Sequence, residues 1–172
     1  VAVLNIGHNI LGNCMYQIAL FKGDGNAQGA VLMISTFVEI PTIVFFAKLL
    51  KFANSSTYMR ISGVFFTLRI ILTLILPNIW GLYAAQLCQI LGYALYTVCS
   101  VYYASEVVSD RDTVKGQTYI SSANTIGCLV AHLAGGAMID AVGVANMLII
   151  TGVVSALGMM LLFFTTEKAK KD

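Results

Sequence analysis

Glu39 and Arg69 are charged residues that lie deep inside long apolar stretches of the chain. Glu39 occurs within VLMISTFVEIPTIVFFAKLL, and Arg69 occurs within ISGVFFTLRIILTLIL. A charge in the middle of a membrane-spanning helix costs several kcal/mol unless it is paired or faces a water-filled cavity, so such residues usually serve a function. These two side chains are therefore the first candidates for binding or proton chemistry.

The polar link KFANSSTYMR joins the two stretches as an antiparallel hairpin, which allows the depths of the two charges to be compared. At a helical rise of about 1.5 Å per residue, both charges lie roughly 15 Å from the same membrane face. That depth is the midplane of a hydrocarbon core about 30 Å thick. The sequence therefore predicts that the Glu39 carboxylate and the Arg69 guanidinium can pair on neighbouring helices.

The composition is that of an integral membrane protein. Of the 172 residues, 58% are hydrophobic and only 10% are charged, and the mean hydropathy is +0.83. A net charge of +2, with no basic face interleaved with aromatic residues, gives no indication of a nucleic-acid partner. The cysteines fall in apolar blocks at unrelated spacings, which predicts small buried side chains rather than disulfides or metal ligands: Cys14, Cys88, Cys99 and Cys128.

Polar or glycine-rich breaks divide the chain into apolar segments, each long enough to cross a membrane. The predicted fold is all-α, a polytopic bundle of six transmembrane helices at about 1–21, 29–50, 59–77, 79–104, 116–138 and 143–165. The segment 79–104 exceeds the usual length, so we expect that helix to be tilted or to extend beyond the membrane surface.

The distribution of Lys and Arg predicts the orientation. Only Lys22 falls on one side, whereas the other side carries Lys48, Lys51, Arg60, Arg111, Lys115, Lys168, Lys170 and Lys171. By the positive-inside rule the second side is cytoplasmic, so both ends of a chain with six spans lie in the cytoplasm. Because Val1 already lies inside an apolar block, without Met or a basic flank, we expect an upstream part to be missing; the alternative is a short six-helix protein trimmed at its start.

The first segment carries a polar stripe at helical spacing, composed of Asn5, Asn9, Asn13 and Gln17, with His8 and Tyr16 beside it. In lipid such a stripe must face protein or water, because unsatisfied amides are costly there. A cavity wall that binds a polar solute is the favoured interpretation. The other is hydrogen bonding between helices.

Two further segments carry polar residues that suit a cavity. The fourth contains Gln86, Gln89, Tyr93, Tyr96 and Ser100 at intervals of three or four residues, and tyrosine can both stack on a ring and hydrogen-bond. In the fifth, Ser121 and Asn124 could face the same cavity. The line Gly127, Ala131 and Gly135, and the pair Gly152 and Ala156 in the sixth segment, predict close helix packing. His132 is expected to make a structural hydrogen bond.

Several kinds of site are absent from the sequence. There is no HExxH, no pair of intramembrane aspartates, no glycine-rich phosphate loop, and no Ser or Cys at nucleophile spacing from a His. A membrane enzyme is therefore unsupported, and we expect neither a cofactor nor a metal site. A channel would show a filter-like loop or a ring of like charges, and the sequence shows neither.

Taken together, these residues resemble the C-terminal half of a major facilitator superfamily transporter, in the branch of oligosaccharide:proton symporters and phenylpropionate permease-like proteins. The resemblance covers the whole chain as helices seven to twelve of twelve. Its most specific parts are Glu39 in helix eight, Arg69 in helix nine, Lys115-Gly116-Gln117 at the start of helix eleven, and the exit motif Gly135, Gly136, Asp140 and Gly143.

The resemblance implies that Glu39 binds solute and that Arg69 lies near the residues that transfer a proton. It also implies a titratable His and Glu in helix ten, where this chain has Gln89 and Gly92. Because neither residue titrates, the proton is expected to be carried by Glu39 itself or by the missing half, unless transport is uncoupled.

The sequence thus predicts half of a secondary transporter in the cytoplasmic membrane, which moves a small solute, such as a saccharide, nucleoside or aromatic acid, by alternating access. Its expected partners are the solute, H⁺ in a coupled mechanism, the lipid bilayer and an N-terminal six-helix half. The predicted site residues are Glu39, Arg69, Asn9, Asn13, His8, Gln89, Tyr93 and Asn124. Two alternatives stay open: a six-helix homodimeric carrier or channel, and a non-transporting membrane protein in which Glu39 and Arg69 form a structural ion pair.

Overall fold

The computed structural model of the chain describes residues 2–166, and within that range every regular element is helical. The helices are α1 (Ala2–Asn13), α2 (Met15–Phe21), α3 (Gln28–Leu49), α4 (Ser55–Ile75), α5 (Ile79–Gln86), α6 (Tyr93–Val107) and α7 (Thr113–Thr165). Short 3₁₀ turns lie at Gly25–Ala27, Leu87–Ile90 and Asp110–Asp112. The sequence predictions that rest on Val1, Lys168, Lys170 and Lys171 fall outside the described residues.

Four helical stretches are long and apolar enough to cross a membrane: Gly25–Leu49, Ser55–Ile75, Ile79–Val107 and Thr113–Thr165. The last has 53 residues and would extend about 80 Å if it were straight, which is far more than one membrane crossing. Gly143 divides it, with a non-helical φ of 79° and ψ of 168° that suit a residue without a Cβ. The predicted all-α, polytopic half-bundle is confirmed.

The first apolar segment is built from α1 and α2, which meet at Cys14. Backbone hydrogen bonds from Cys14 to Ile10 and from Ile18 to Cys14, both 3.0 Å, carry the helical pattern across the junction. The backbone at Cys14 therefore departs only slightly from helical geometry, and α2 continues α1.

The fourth apolar segment is broken, which the sequence did not predict. α5 ends at Gln86, a 3₁₀ turn covers Leu87–Ile90, and α6 begins after Gly92, whose φ of −88° and ψ of −102° are not helical. A Cβ at position 92 would lie 2.9 Å from the Cys88 carbonyl oxygen, so this break requires a glycine. The sequence analysis expected one continuous helix over 79–104; the structure instead has α5, a 3₁₀ turn and α6 in this range, and α6 continues to Val107.

The N-terminal part of α7 packs closely against α1, along the line of small residues that the sequence predicted. A Cβ on Gly127 would lie 2.7 Å from the Ala2 carbonyl oxygen, and one on Gly135 would lie 2.9 Å from the Cys14 sulfur. Ala131, between them, is fully buried. The prediction that this line permits close helix packing is confirmed.

The C-terminal part of α7 approaches α1 most closely at Gly158, which the sequence analysis did not single out. A Cβ there would lie 2.7 Å from the Leu4 amide nitrogen and 2.8 Å from the Leu4 Cα. The predicted line at Gly152 instead faces α4, where its Cβ would lie 3.7 Å from Ile70 Cγ2. α1 is therefore packed against both parts of α7.

Side chains satisfy several helix ends on both sides of the bundle. Lys22 Nζ donates to the Leu76 carbonyl at the end of α4, at 2.5 Å, and Tyr58 donates to the Leu49 carbonyl at the end of α3, at 2.6 Å. Arg60 donates to the Thr166 carbonyl at 2.6 Å. These contacts replace intrahelical partners that the last turn of a helix lacks, and they fix the ends of the helices that carry the polar residues.

Candidate functional site

Arg69 is the most deeply buried charge in the bundle, with 3% of its surface exposed. It lies on the face of α4 that also buries Phe66 and Thr73, so helical spacing turns the guanidinium inward. One terminal nitrogen donates to Gln86 Oε1 at 2.6 Å, and the other lies 3.2 Å from His8 Nδ1. The Nε group has no hydrogen-bond partner. The contacts of this cation are therefore with neutral groups.

Glu39 lies on α3 and is partly exposed. It accepts a hydrogen bond from Gln89 Nε2 at 3.2 Å. Pro41 lies inside the same helix and has no amide hydrogen to donate, which weakens the backbone ladder next to Glu39. One turn further on, Thr42 donates to the Ile90 carbonyl at 2.8 Å and so ties α3 to the broken fourth segment.

The predicted direct pair between Glu39 and Arg69 does not form. Within residues 2–166 the structure has one salt bridge, between Lys115 and Asp112 at 2.6 Å. Instead, Gln86 of the broken segment binds Arg69, and Gln89 binds Glu39. Two charges can share one depth in the membrane without their side chains facing each other. The alternative of a structural Glu39–Arg69 ion pair is corrected accordingly, although the charges still act on each other through space.

Aromatic rings fix the position of His8. Its imidazole stacks on Tyr93 with the ring centroids 4.5 Å apart and the planes at 2°, and the edge of Phe66 meets it at 5.0 Å and 80°. His8, Arg69, Gln86 and Tyr93 thereby connect α1, α4, α5 and α6. This arrangement holds the imidazole plane against the guanidinium.

A second cluster lies on the neighbouring turn of α1. Asn5 Nδ2 donates to Tyr96 Oη at 3.1 Å and to Asn124 Oδ1 at 2.9 Å, and Tyr96 donates to the same Asn124 oxygen at 2.6 Å. Asn5 and Tyr96 are almost fully buried, with 3% and 1% exposed. The cluster joins α1, α6 and α7, and it turns the Asn124 oxygen inward.

The structure brings together Glu39 with Gln89, Arg69 with His8 and Tyr93, and Asn124 with two buried partners. It does not bring two other predicted residues into these contacts. Asn9 donates to the Asn5 carbonyl of its own helix at 2.8 Å, and Asn13 is exposed at the end of α1. The polar stripe of α1 therefore runs from buried at Asn5 to exposed at Asn13.

Four residues of the site were not among the eight predicted site residues: Gln86, Asn5, Tyr96 and Phe66. The sequence analysis included the first three in its polar patterns, at helical spacing from a predicted site residue. Phe66 carries no such signal, because it is one apolar residue among many in its helix. Only the packing of α4 against α1 identifies it.

A groove of about 540 Å³ lies along the first turns of α7. Five of its seven lining residues carry a hydroxyl or amide group, Gln117, Thr118, Ser121, Ser122 and Thr125, and the others are Val114 and Ile126. A smaller pocket of about 110 Å³ adjoins it and contains Ser100 and Asn124. Within residues 2–166, no cluster of three or more His, Cys, Asp and Glu residues could hold a metal ion.

Three features of this bundle are found in membrane proteins that handle polar solutes. They are a spanning helix that exposes hydroxyl groups, a buried cation with neutral partners, and a broken helix beside that cation. The family model of the Major Facilitator Superfamily matches residues 5–172. The chain therefore belongs to this superfamily and is a multi-pass membrane protein of the major facilitator transporter type. No curated protein and no solved structure gives a significant match.

Proposed function

We propose that the chain forms the C-terminal six-helix half of a secondary transporter that moves a small polar or aromatic solute by alternating access. The solute class is a saccharide, a nucleoside or an aromatic acid. The observation that carries the proposal is the arrangement around Arg69: a cation buried inside a spanning helix, bound by neutral groups, with a carboxylate held nearby by a second amide. A purely structural role would favour direct neutralisation of that charge.

The side chains have distinct roles in this proposal. Glu39 is partly exposed, so it can accept hydrogen bonds from solute hydroxyl groups or accept a proton. Arg69 sets the charge balance of the site. Tyr93 offers a ring and a hydroxyl to the solute. The remaining polar positions form the cavity wall: His8, Asn9, Asn13, Gln89 and Asn124.

A second six-helix half is the proposed partner. Exposed polar groups lie at Asn13 and Gln17, on the segment proposed as the first of the six helices, and in the groove along the first turns of α7. Such groups need water or protein around them. A facing half that encloses a water-filled cavity meets this need. In this proposal the protein lies in the cytoplasmic membrane, and the excess of Lys and Arg puts both ends of the segment in the cytoplasm.

The test is solute uptake by the full-length protein in proteoliposomes, with a panel of radiolabelled saccharides, nucleosides and aromatic acids. For a solute that is taken up, Glu39→Gln is expected to lower uptake by about tenfold or more, because it removes the negative charge and keeps the size of the side chain. Glu106→Gln makes the same change at a carboxylate that instead contacts Ser55, and it should keep uptake.

Wild-type uptake by a Glu39→Gln variant that folds and inserts normally would contradict the proposal. Failure of every solute in the panel, with a well-folded protein, would exclude the proposed solute classes. The alternative of a functional homodimer predicts a different result: proteoliposomes that contain only the six-helix chain, without an N-terminal half, would also take up the solute.

A further inference from the structure

The contact between Arg69 and His8 determines which imidazole nitrogen carries the proton. The guanidinium has N–H donors and no acceptor. Since Arg69 Nη1 lies 3.2 Å from His8 Nδ1, that nitrogen must accept the hydrogen bond. His8 is therefore neutral in this conformation, with its proton on Nε2.

The groups that face this contact come from several helices. Arg69 and Phe66 come from α4 and Tyr93 comes from α6, stacked on the ring. Glu39 of α3 and Cys88 of the broken segment act on Arg69 through space. The carboxylate among these groups is that of Glu39, and it is bound to Gln89 rather than to the cation. The guanidinium thus has an available anion that it does not contact in this conformation.

We propose that His8 is the proton-binding positioning residue of the site, and that a proton on Nδ1 and the Arg69–His8 hydrogen bond exclude each other. When Nδ1 takes a proton from water, its lone pair is consumed, so the Arg69 N–H···Nδ1 bond breaks. Two donors and two positive charges then face each other, and they separate. Arg69 turns toward the Glu39 carboxylate, which leaves Gln89.

This inference deepens the transport proposal, because it names the residue through which a proton would change the state of the solute-binding groups. His8 retains some exposed surface, so the bundle does not enclose the ring completely. The stack on Tyr93 keeps the ring plane fixed, so protonation changes the partners of Arg69 rather than the tilt of the imidazole. Transport coupling depends on the proposed function, whereas the exchange of partners at Arg69 does not.

Protons alone are the probe for the test. The full-length protein in lipid nanodiscs is labelled with ¹⁵N at histidine and arginine, and the His8 signals are assigned by their loss in His8→Gln. We expect the Nε2–H tautomer with Nδ1 as an acceptor. As the pH is lowered, the His8 ring and Arg69 guanidinium signals should change together with one midpoint.

His8→Gln supplies an acceptor that does not titrate, so the Arg69 signals should lose that pH dependence. His132→Gln is the matched control, because this exposed histidine of α7 contacts the Cys128 carbonyl of its own helix at 2.7 Å, and it should leave the Arg69 signals as in the wild type.

Three results would overturn the proposal: an Nδ1–H tautomer, a His8 ring that stays neutral down to the lowest pH at which the protein remains folded, or Arg69 signals that keep their pH dependence in His8→Gln. The last result would assign the effect to Glu39. The tautomer is measured on the wild-type protein and needs no variant. Because none of these readouts requires a solute, they remain informative even if the proposed transport activity fails.

Discussion

The two faces of α1 differ in how they meet their neighbours. One face packs on α7 through glycines, with main-chain atoms of α1 close enough to exclude a Cβ at Gly127 and Gly158. The other face presents His8 to α4 and α6, and Asn5, which also lies next to Gly127, bonds Tyr96 of α6 and Asn124 of α7; the contacts here are hydrogen bonds and stacked rings. The first face consists of close contacts with the main chain, whereas the second meets Arg69, whose buried Nε donor has no partner.

The difference determines which contacts along a single helix can rearrange. Close packing between backbones leaves no room for rearrangement, because neither main chain can yield without unfolding its helix. Hydrogen bonds among amides, an imidazole and a guanidinium can exchange partners where another partner lies within reach, but a buried group left without one costs stability. Substitutions on the glycine face should therefore reduce stability more than substitutions on the polar face.

The largest expected effect is that of Gly158→Leu. The new Cβ would lie less than 3 Å from the Leu4 backbone, so α1 cannot dock, and we expect a loss of about 3 kcal/mol or more. Gly136→Leu is the matched control in the same helix, because nothing lies within 4 Å of a Cβ there. The measurement is the monodisperse fraction on size-exclusion chromatography after heating in detergent. Equal heat resistance of both variants would break the comparison between the two faces.

A smaller effect is expected for Asn124→Ala on the polar face. The change removes the oxygen that accepts from both Asn5 and Tyr96, and it should cost about 1–2 kcal/mol, because the Tyr96 hydroxyl loses its acceptor in a buried position. Asn146→Ala is the control, since that amide bonds only to the Val142 carbonyl of its own helix. Thermal unfolding in lipid nanodiscs gives the difference, and equal midpoints for the two variants would show that the Asn5 cluster contributes nothing to stability.

The smallest effect is expected for Thr42→Val, which sharpens the comparison at the broken segment. Valine keeps the shape of threonine but cannot donate to the Ile90 carbonyl, so stability should fall by about 1 kcal/mol. Thr36→Val is the control, because its hydroxyl bonds to the Leu32 carbonyl within the same exposed helix face. Hydrogen exchange at the amides of residues 87–92 should rise in Thr42→Val alone. Unchanged exchange would mean that α3 does not hold this turn.

The sequence was sufficient for the fold class and for the close packing of α7. Apolar blocks of spanning length and small residues four apart depend on local composition and helical spacing, which a single sequence contains. Helical spacing also singled out Tyr93 and the amide stripe beside His8, whereas Arg69 was identified as a charge deep inside an apolar segment. Three-dimensional contacts then added Phe66, which nothing in its own segment distinguishes.

Two predictions were wrong for one physical reason: the direct pair between Glu39 and Arg69, and the continuous helix over 79–104. The depth of Glu39 and Arg69 follows from counting residues, but the direction in which each side chain points around its helix axis depends on packing. The break at Leu87–Gly92 changes that direction for Gln86 and Gln89 and places them between the charges. Its only local signal is Gly92, and glycine is common in unbroken transmembrane helices as well. The sequence therefore could not predict the insertion of these two amides.

Gln86 ends α5 and Gln89 lies three residues later in the 3₁₀ turn that follows it, and the two amides hold opposite charges on different helices. A rotation of this segment about its own axis would move both amides together, so the surroundings of Arg69 and of Glu39 would change in the same motion.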